Sequence, residues 1–135
     1  MINELYPFIQ IYALIIGLSV GSFLNVIIYR LPNNKSIVKP RSRCTNCRSQ
    51  ISWYDNIPLI SYITLLGKCR NCKKNISPRY FFVELISGLS FVFLFINLDN
   101  FNEIFFYQIV FLILLMIIFI DLKHFIIPDE LNFTL

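Results

Sequence analysis

Four cysteines carry the most chemistry in this chain, as two Cys-x2-Cys pairs, Cys44/Cys47 and Cys69/Cys72, with 21 residues between the pairs. Each pair supplies two sulfurs from one tight turn. Four such ligands close a tetrahedron around Zn2+ and leave no coordination position open, so the site predicted from this spacing is structural. Arg43, Arg48, Lys68, Arg70, Lys73 and Lys74 flank the pairs and favour thiolates over thiols. The other reading of the four cysteines is free or redox-labile thiols. Beyond them the candidates are few: Asp121 at the end of one apolar run, Glu84 inside another, and Asn25 inside a third.

The elements that must position these groups are apolar. The 135 residues are 56% hydrophobic and 15% charged, which argues against a soluble globule. Phe8 to Tyr29 has no charged residue and is about 33 Å long as a helix, enough to cross a bilayer core. Tyr80 to Asn97 carries only Glu84, and Ile104 to Ile120 carries none. The fold predicted is an all-α polytopic membrane protein with three transmembrane helices and a zinc-binding cysteine loop between the first and second. It divides as residues 1–29 (helix 1), 30–79 (basic loop with the four-cysteine zinc site) and 80–135 (helices 2 and 3 and the start of a further region). The first run is read as a retained helix, because Met1 to Pro7 holds Glu4 and no base, the reverse of a secretory signal.

Eleven of the twelve Lys and Arg residues lie between Arg30 and Arg79, with one acid, Asp55, giving that loop a net charge of +10. The connection Leu98 to Glu103 has Asp99 and Glu103 and no base. The positive-inside rule then places the cysteine loop in the cytoplasm, the N-terminus and the Asp99 turn outside, and Asp121 on the cytoplasmic face. Orientation accounts for the basic loop, so no nucleic-acid partner is expected; lipid is. A reducing cytoplasm also argues for metal rather than disulfides.

Gly17, Gly21 and Asn25 recur every four residues, a spacing that lets another helix approach closely. Asn25 would share that face, where its amide needs an interhelical partner. An intramembrane carboxylate such as Glu84 is a functional candidate, or one that snorkels or pairs with Arg79. Asp121 opposes the dipole if it closes its helix; it is either catalytic or an interfacial stop residue paired with Lys123 or His124. Phe125 to Pro128 suggests a short re-entry before a new helix, with Asp129 and Glu130 suiting its N-terminus.

Taken in order, several strings resemble the type IV prepilin peptidases: Gly21-Ser-Phe-Leu-Asn-Val26 with Tyr29-Arg-Leu-Pro32, the cysteine pairs, Trp53-Tyr-Asp-Asn-Ile-Pro58 with Ser61, Ile76-Ser-Pro-Arg-Tyr80 with Glu84-Leu85, and Asp121 with Ile127-Pro128-Asp129. The resemblance implies an aspartic endopeptidase of the inner (cytoplasmic) membrane that removes the basic leader from prepilins and pseudopilins at the cytoplasmic face. It also implies N-methylation of the new terminus with S-adenosylmethionine. Asp121 corresponds by motif position to the first of two catalytic aspartates. The second belongs in a Gly-x-Gly-Asp motif, and none of Gly17, Gly21, Gly67 and Gly88 forms one. Asp129 does not easily replace it: on one helix it would lie about 80° and roughly 12 Å from Asp121. The chain therefore reads as the N-terminal portion of such an enzyme, truncated and inactive alone, with a missing C-terminal half. The alternatives are a non-enzymatic membrane-anchored zinc module, a subunit of a split peptidase, or a chain that retains only the methyl transfer.

Overall fold

Residue-by-residue hydropathy dictates three long helices, and the computed structural model describes them within residues 2–125. Helix α1 spans Ile2–Arg30. Pro32 then tightens the chain into a 3-10 turn over Leu31–Asn33, which ends at Asn34 in the left-handed region, φ 51°, a conformation Asn adopts readily. The Arg30 guanidinium fixes the loop that follows by donating to the carbonyls of Ser36, Ile37 and Pro40 at 2.8, 3.1 and 2.6 Å. A second 3-10 turn covers Trp53–Asn56 and a short helix, α2, covers Ile60–Thr64.

Helix α3 spans Arg79–Asn97, directly after Pro78. Helix α4 spans Phe101–Phe125 and opens on an Asn cap: Asn100 Oδ1 accepts the Asn102 N–H at 3.1 Å, and its amide donates to Glu103 at 3.2 Å. That pairing satisfies a donor the first turn would otherwise leave free. Among the described residues, three helices are long and apolar enough to cross a membrane. No strand forms among the described residues, only isolated bridges Arg43–Gln50 and Lys68–Asn75.

Helices α1 and α3 pack antiparallel and very closely. A Cβ at Gly17 would lie 2.8 Å from the Gly88 Cα, and one at Gly21 would lie 2.8 Å from the Glu84 Cα. Backbone meets backbone there, which is what the four-residue spacing of small residues permits. One turn further, the Asn25 amide donates to the Tyr80 carbonyl at 3.0 Å, the interhelical partner the sequence demanded. The Ser87 hydroxyl donates to the Gly17 carbonyl at 2.8 Å, and Gln108 of α4 reaches Ser90 at 3.0 Å. Ile28 and Val83 are fully buried at the centre of this contact, with Leu24 and Leu115 around them.

At Gly88 the atoms nearest to the intruding Cβ belong to the side chains of Leu18 and Leu14, which can turn aside. Gly21→Ala is therefore expected to destabilise the helix pair by about 1–3 kcal/mol, and Gly88→Ala by clearly less. Thermal unfolding of the two variants in one detergent checks the order; equal losses would remove the close-approach argument.

Candidate functional site

The two cysteine pairs fold as copies of one turn. The Cys44 N–H donates to the Ser49 carbonyl at 3.0 Å and the Arg48 N–H to the Cys44 carbonyl at 3.1 Å; the Cys69–Lys74 and Lys73–Cys69 bonds repeat them at 2.9 and 3.0 Å. Arg48 and Lys73 both take φ 58°, the left-handed residue that lets each turn close beneath its two sulfurs. The repeat is visible in sequence as Arg43-Cys-Thr-Asn-Cys-Arg-Ser-Gln-Ile-Ser52 against Lys68-Cys-Arg-Asn-Cys-Lys-Lys-Asn-Ile-Ser77. Self-comparison of the loop would have found it; motif spacing alone did not.

The turns face each other and bring all four sulfurs within 4.8 Å of one another. Cys44 and Cys72 Sγ are 3.8 Å apart, and Cys47 and Cys69 Sγ are 4.0 Å apart. A tetrahedron with Zn–S bonds of about 2.3 Å has edges of about 3.8 Å, so the donor set fits zinc in number, chemistry and size. Lys74 crosses between the turns to Asn46 at 3.1 Å. Without metal the thiols are unequal. The Lys74 backbone N–H and the Asn46 side chain bring Cys72 down to about 6. Burial pushes Cys44 up to about 11. The Ser49 hydroxyl holds Cys47 below its usual value.

Arg70, inside the second turn, donates to both Asp55 oxygens at 2.8 and 2.6 Å and lies over the Tyr54 ring, 5.4 Å from its centroid. This bidentate pair ties the segment between the cysteine pairs to the metal site. Asp55 is held below the usual carboxylate range by that guanidinium.

A cavity of about 1340 Å³ opens between this loop and the adjoining helix ends, and Asn25, Tyr29, Arg79, Tyr80 and Glu84 all line it. Asn25 is only 2% exposed and its Oδ1 has no partner among the described residues. Glu84 does not pair with Arg79. Its carboxylate instead accepts the backbone N–H of Leu59 at 2.9 Å. Leu59 sits at φ 59°, ψ −48°, and the Ile60 N–H closes a three-residue turn on the Pro58 carbonyl at 2.6 Å. This is a γ-turn of the strained, positive-φ kind. Nothing in the sequence at Pro58–Ile60 announced it.

The sequence placed Asp121 at the end of its helix. The structure carries α4 on to Phe125, so Asp121 lies in the last stretch of the helix, exposed, and the dipole argument weakens accordingly. Its neighbours Phe119 and Leu122 line the same cavity as Glu84 and Asn25. The re-entry, Pro128, Asp129 and the helix expected after them lie outside the described residues, as does any pairing of Asp121 with Lys123 or His124.

Residues 15–98, most of the chain, match the family described as the bacterial peptidase A24 N-terminal domain. The chain belongs to this family. The span takes in the two cysteine turns, Asn25 and Glu84, and it bears out the resemblance to type IV prepilin peptidases. The chain is 44% identical over 125 residues to a prepilin leader peptidase/N-methyltransferase of Myxococcus xanthus, covering 90% of this chain and 36% of that protein. A Vibrio cholerae protein of the same name is 51% identical over 79 residues, 53% of this chain and 31% of the relative. One from Legionella pneumophila is 33% identical across the whole chain and 56% of its own length. The chain thus spans about a third of the first two relatives and about half of the third. No solved structure gives a significant match.

Proposed function

We propose that this A24 N-terminal domain works in a prepilin leader peptidase of the inner membrane, cutting the basic leader from type IV prepilins or pseudopilins at the cytoplasmic face. The orientation follows from the +10 loop and the positive-inside rule. The observation that carries the reading is one cavity, polar at Asn25 and Glu84, that runs from the basic loop to the α4 end beside Asp121. A leader emerging from the bilayer would meet this membrane-edge cleft, where Asp55 is paired with Arg70 and Glu84 is the lining carboxylate not paired with a base.

In this reading Asp121 is the ionised member of an aspartate pair. It takes the proton from the attacking water, while a protonated partner polarises the scissile carbonyl. The partner carboxylate comes from a Gly-x-Gly-Asp segment that these 135 residues do not contain. Cys44, Cys47, Cys69 and Cys72 would hold zinc, which would fix the loop as a structural ion and take no part in substrate binding. Methyl transfer from S-adenosylmethionine to the new terminus fits the same cavity. Its volume exceeds what a ligand of that size needs, the Glu84 carboxylate and the Asn25 oxygen are acceptors for ammonium groups, and Tyr29 and Tyr80 supply rings.

Two measurements test this. In a strain lacking the gene, pilins are expected to accumulate with leaders attached, as read by intact mass; fully processed pilins there would overturn the reading. The purified 135-residue chain is expected to leave a prepilin uncut, and hydrolysis by it would remove the need for a second carboxylate. A second reading is a zinc module or one subunit of a split peptidase, in which Asp121→Asn has no effect.

A further inference from the structure

The loop between the cysteine pairs touches the membrane-spanning part of the molecule at two points. The Leu59 N–H is bonded to Glu84 at 2.9 Å, and Glu84 lies five residues into α3, about 7.5 Å beyond Arg79 along the axis. Tyr62 of α2 packs on Phe81 of α3, ring centroids 5.6 Å apart. Both contacts hold α2 against the first turns of a membrane-crossing helix. The inward side of α2 carries Ser61, buried, whose hydroxyl donates to the Tyr54 carbonyl at 2.9 Å.

The other side is apolar and bare. Ile60 and Ile63 are each 59% exposed and Leu66 is 82% exposed, and their spacing of three puts them along one flank of a short helix and the turn after it. Phe82, on the adjoining turn of α3, is 50% exposed. Beyond Leu66 the chain passes through Gly67 to Lys68, with Lys73 and Lys74 in the turn that follows. Apolar side chains with bases close behind match an interface between acyl chains and anionic headgroups. The strained turn at Leu59 fits as well: the Glu84 carboxylate satisfies a backbone N–H that would otherwise be stranded at bilayer depth.

We propose that Ile60, Ile63 and Leu66 form an interfacial membrane anchor, inserted into the headgroup–acyl boundary of the same bilayer that α3 crosses. The cysteine loop is then no free aqueous domain. Its middle segment lies in the lipid surface, caps the Glu84 end of the cavity from the side, and holds the metal site at the membrane.

Trp53 is the single tryptophan, so one replacement clears the background without touching the zinc thiolates. The zinc-loaded chain carrying Trp53→Phe with Ile63→Trp is reconstituted in vesicles of phosphatidylcholine and phosphatidylglycerol. Part of the phosphatidylcholine is brominated near the carbonyl end of its acyl chain. A Trp53→Phe, Phe82→Trp chain gives the reference for a lipid-facing ring. The position-63 emission is expected to be quenched by brominated lipid at least about half as strongly as that at position 82, and to resist acrylamide. Quenching by acrylamide but not by bromine would put the segment in water. Quenching by neither would put it under protein. Either result overturns the proposal. Leu66→Trp in the same background reads the same flank from a side chain with fewer contacts to lose, and zinc content confirms that each variant is folded.

Discussion

Replacing Cys44 or Cys69 with serine is expected to abolish stoichiometric zinc and to leave residues 31–78 open to protease while the three long helices stay protected. The loop has few other means of holding its shape. Between residues 31 and 78 only Ser61 and Gly67 are buried, so no apolar core forms there. What remains are the paired turns, the Arg70–Asp55 bridge, whose arginine is half exposed, the Arg30 bonds at one end, and the Leu59–Glu84 and Tyr62–Phe81 contacts with α3 in the middle. An exposed ion pair contributes little, whereas zinc held by four thiolates contributes about 10–16 kcal/mol in isolated finger peptides. Helices α1 and α3, by contrast, meet through Gly17, Gly21, Ile28 and Val83, none of which depends on the metal. Limited proteolysis with metal analysis separates the two parts. A serine variant lacking zinc but still protected in the loop would show that the turns hold themselves.

The unequal thiols set the pH dependence of the same site. Zinc binds thiolates, so binding at neutral pH must drive the proton from Cys44, pushed up to about 11, but finds Cys72 at about 6 mostly ionised. Zinc binding therefore weakens progressively as pH falls, because each protonated thiol must give up its proton, and it falls most steeply below about 6, where the Cys72 thiolate is protonated as well. Zinc retention, titrated from about pH 8 to about pH 5 so as to bracket the Cys72 value, is expected to fall over the acid half. Retention flat to the acid end would mean that the metal-free thiols do not set the equilibrium.

The parts of this molecule legible in sequence are those governed by composition and fixed spacing. Three nearly uncharged runs gave three helices because a bilayer needs about 20 apolar residues and little else. Cys-x2-Cys gave the metal turns because two sulfurs from one turn need that interval. Gly17, Gly21 and Asn25 gave a helix contact because a helix returns to the same face after four residues. The illegible parts depend on which distant groups meet. Arg79 and Glu84 are near in sequence, yet the carboxylate turned to Leu59, 25 residues back. The end of α4 was misplaced at Asp121 because a charged residue closes a hydropathy window, while the backbone hydrogen bonds run on to Phe125.

On the proposed reading, Asp121→Asn in the native protein is expected to reduce leader cleavage by roughly 10²–10⁴-fold and to leave zinc content and helix stability unchanged. Asparagine keeps the shape of the side chain but neither accepts a proton from water nor shares one with a partner carboxylate. Asp121 is exposed on α4 and, among the described residues, is in no ion pair, so the exchange costs the fold little. Glu84→Gln offers a contrast. Its carboxylate accepts the Leu59 N–H, and the glutamine oxygen can still accept it, so cleavage is expected to persist with altered methyl transfer. If Asp121 is instead an interfacial stop residue, Asp121→Asn processes prepilin at the unmodified rate. Intact-mass measurement of pilin from strains carrying each variant distinguishes the two, because a stop residue predicts retention at Asp121 and a proton-transfer role predicts loss at Asp121 with retention at Glu84.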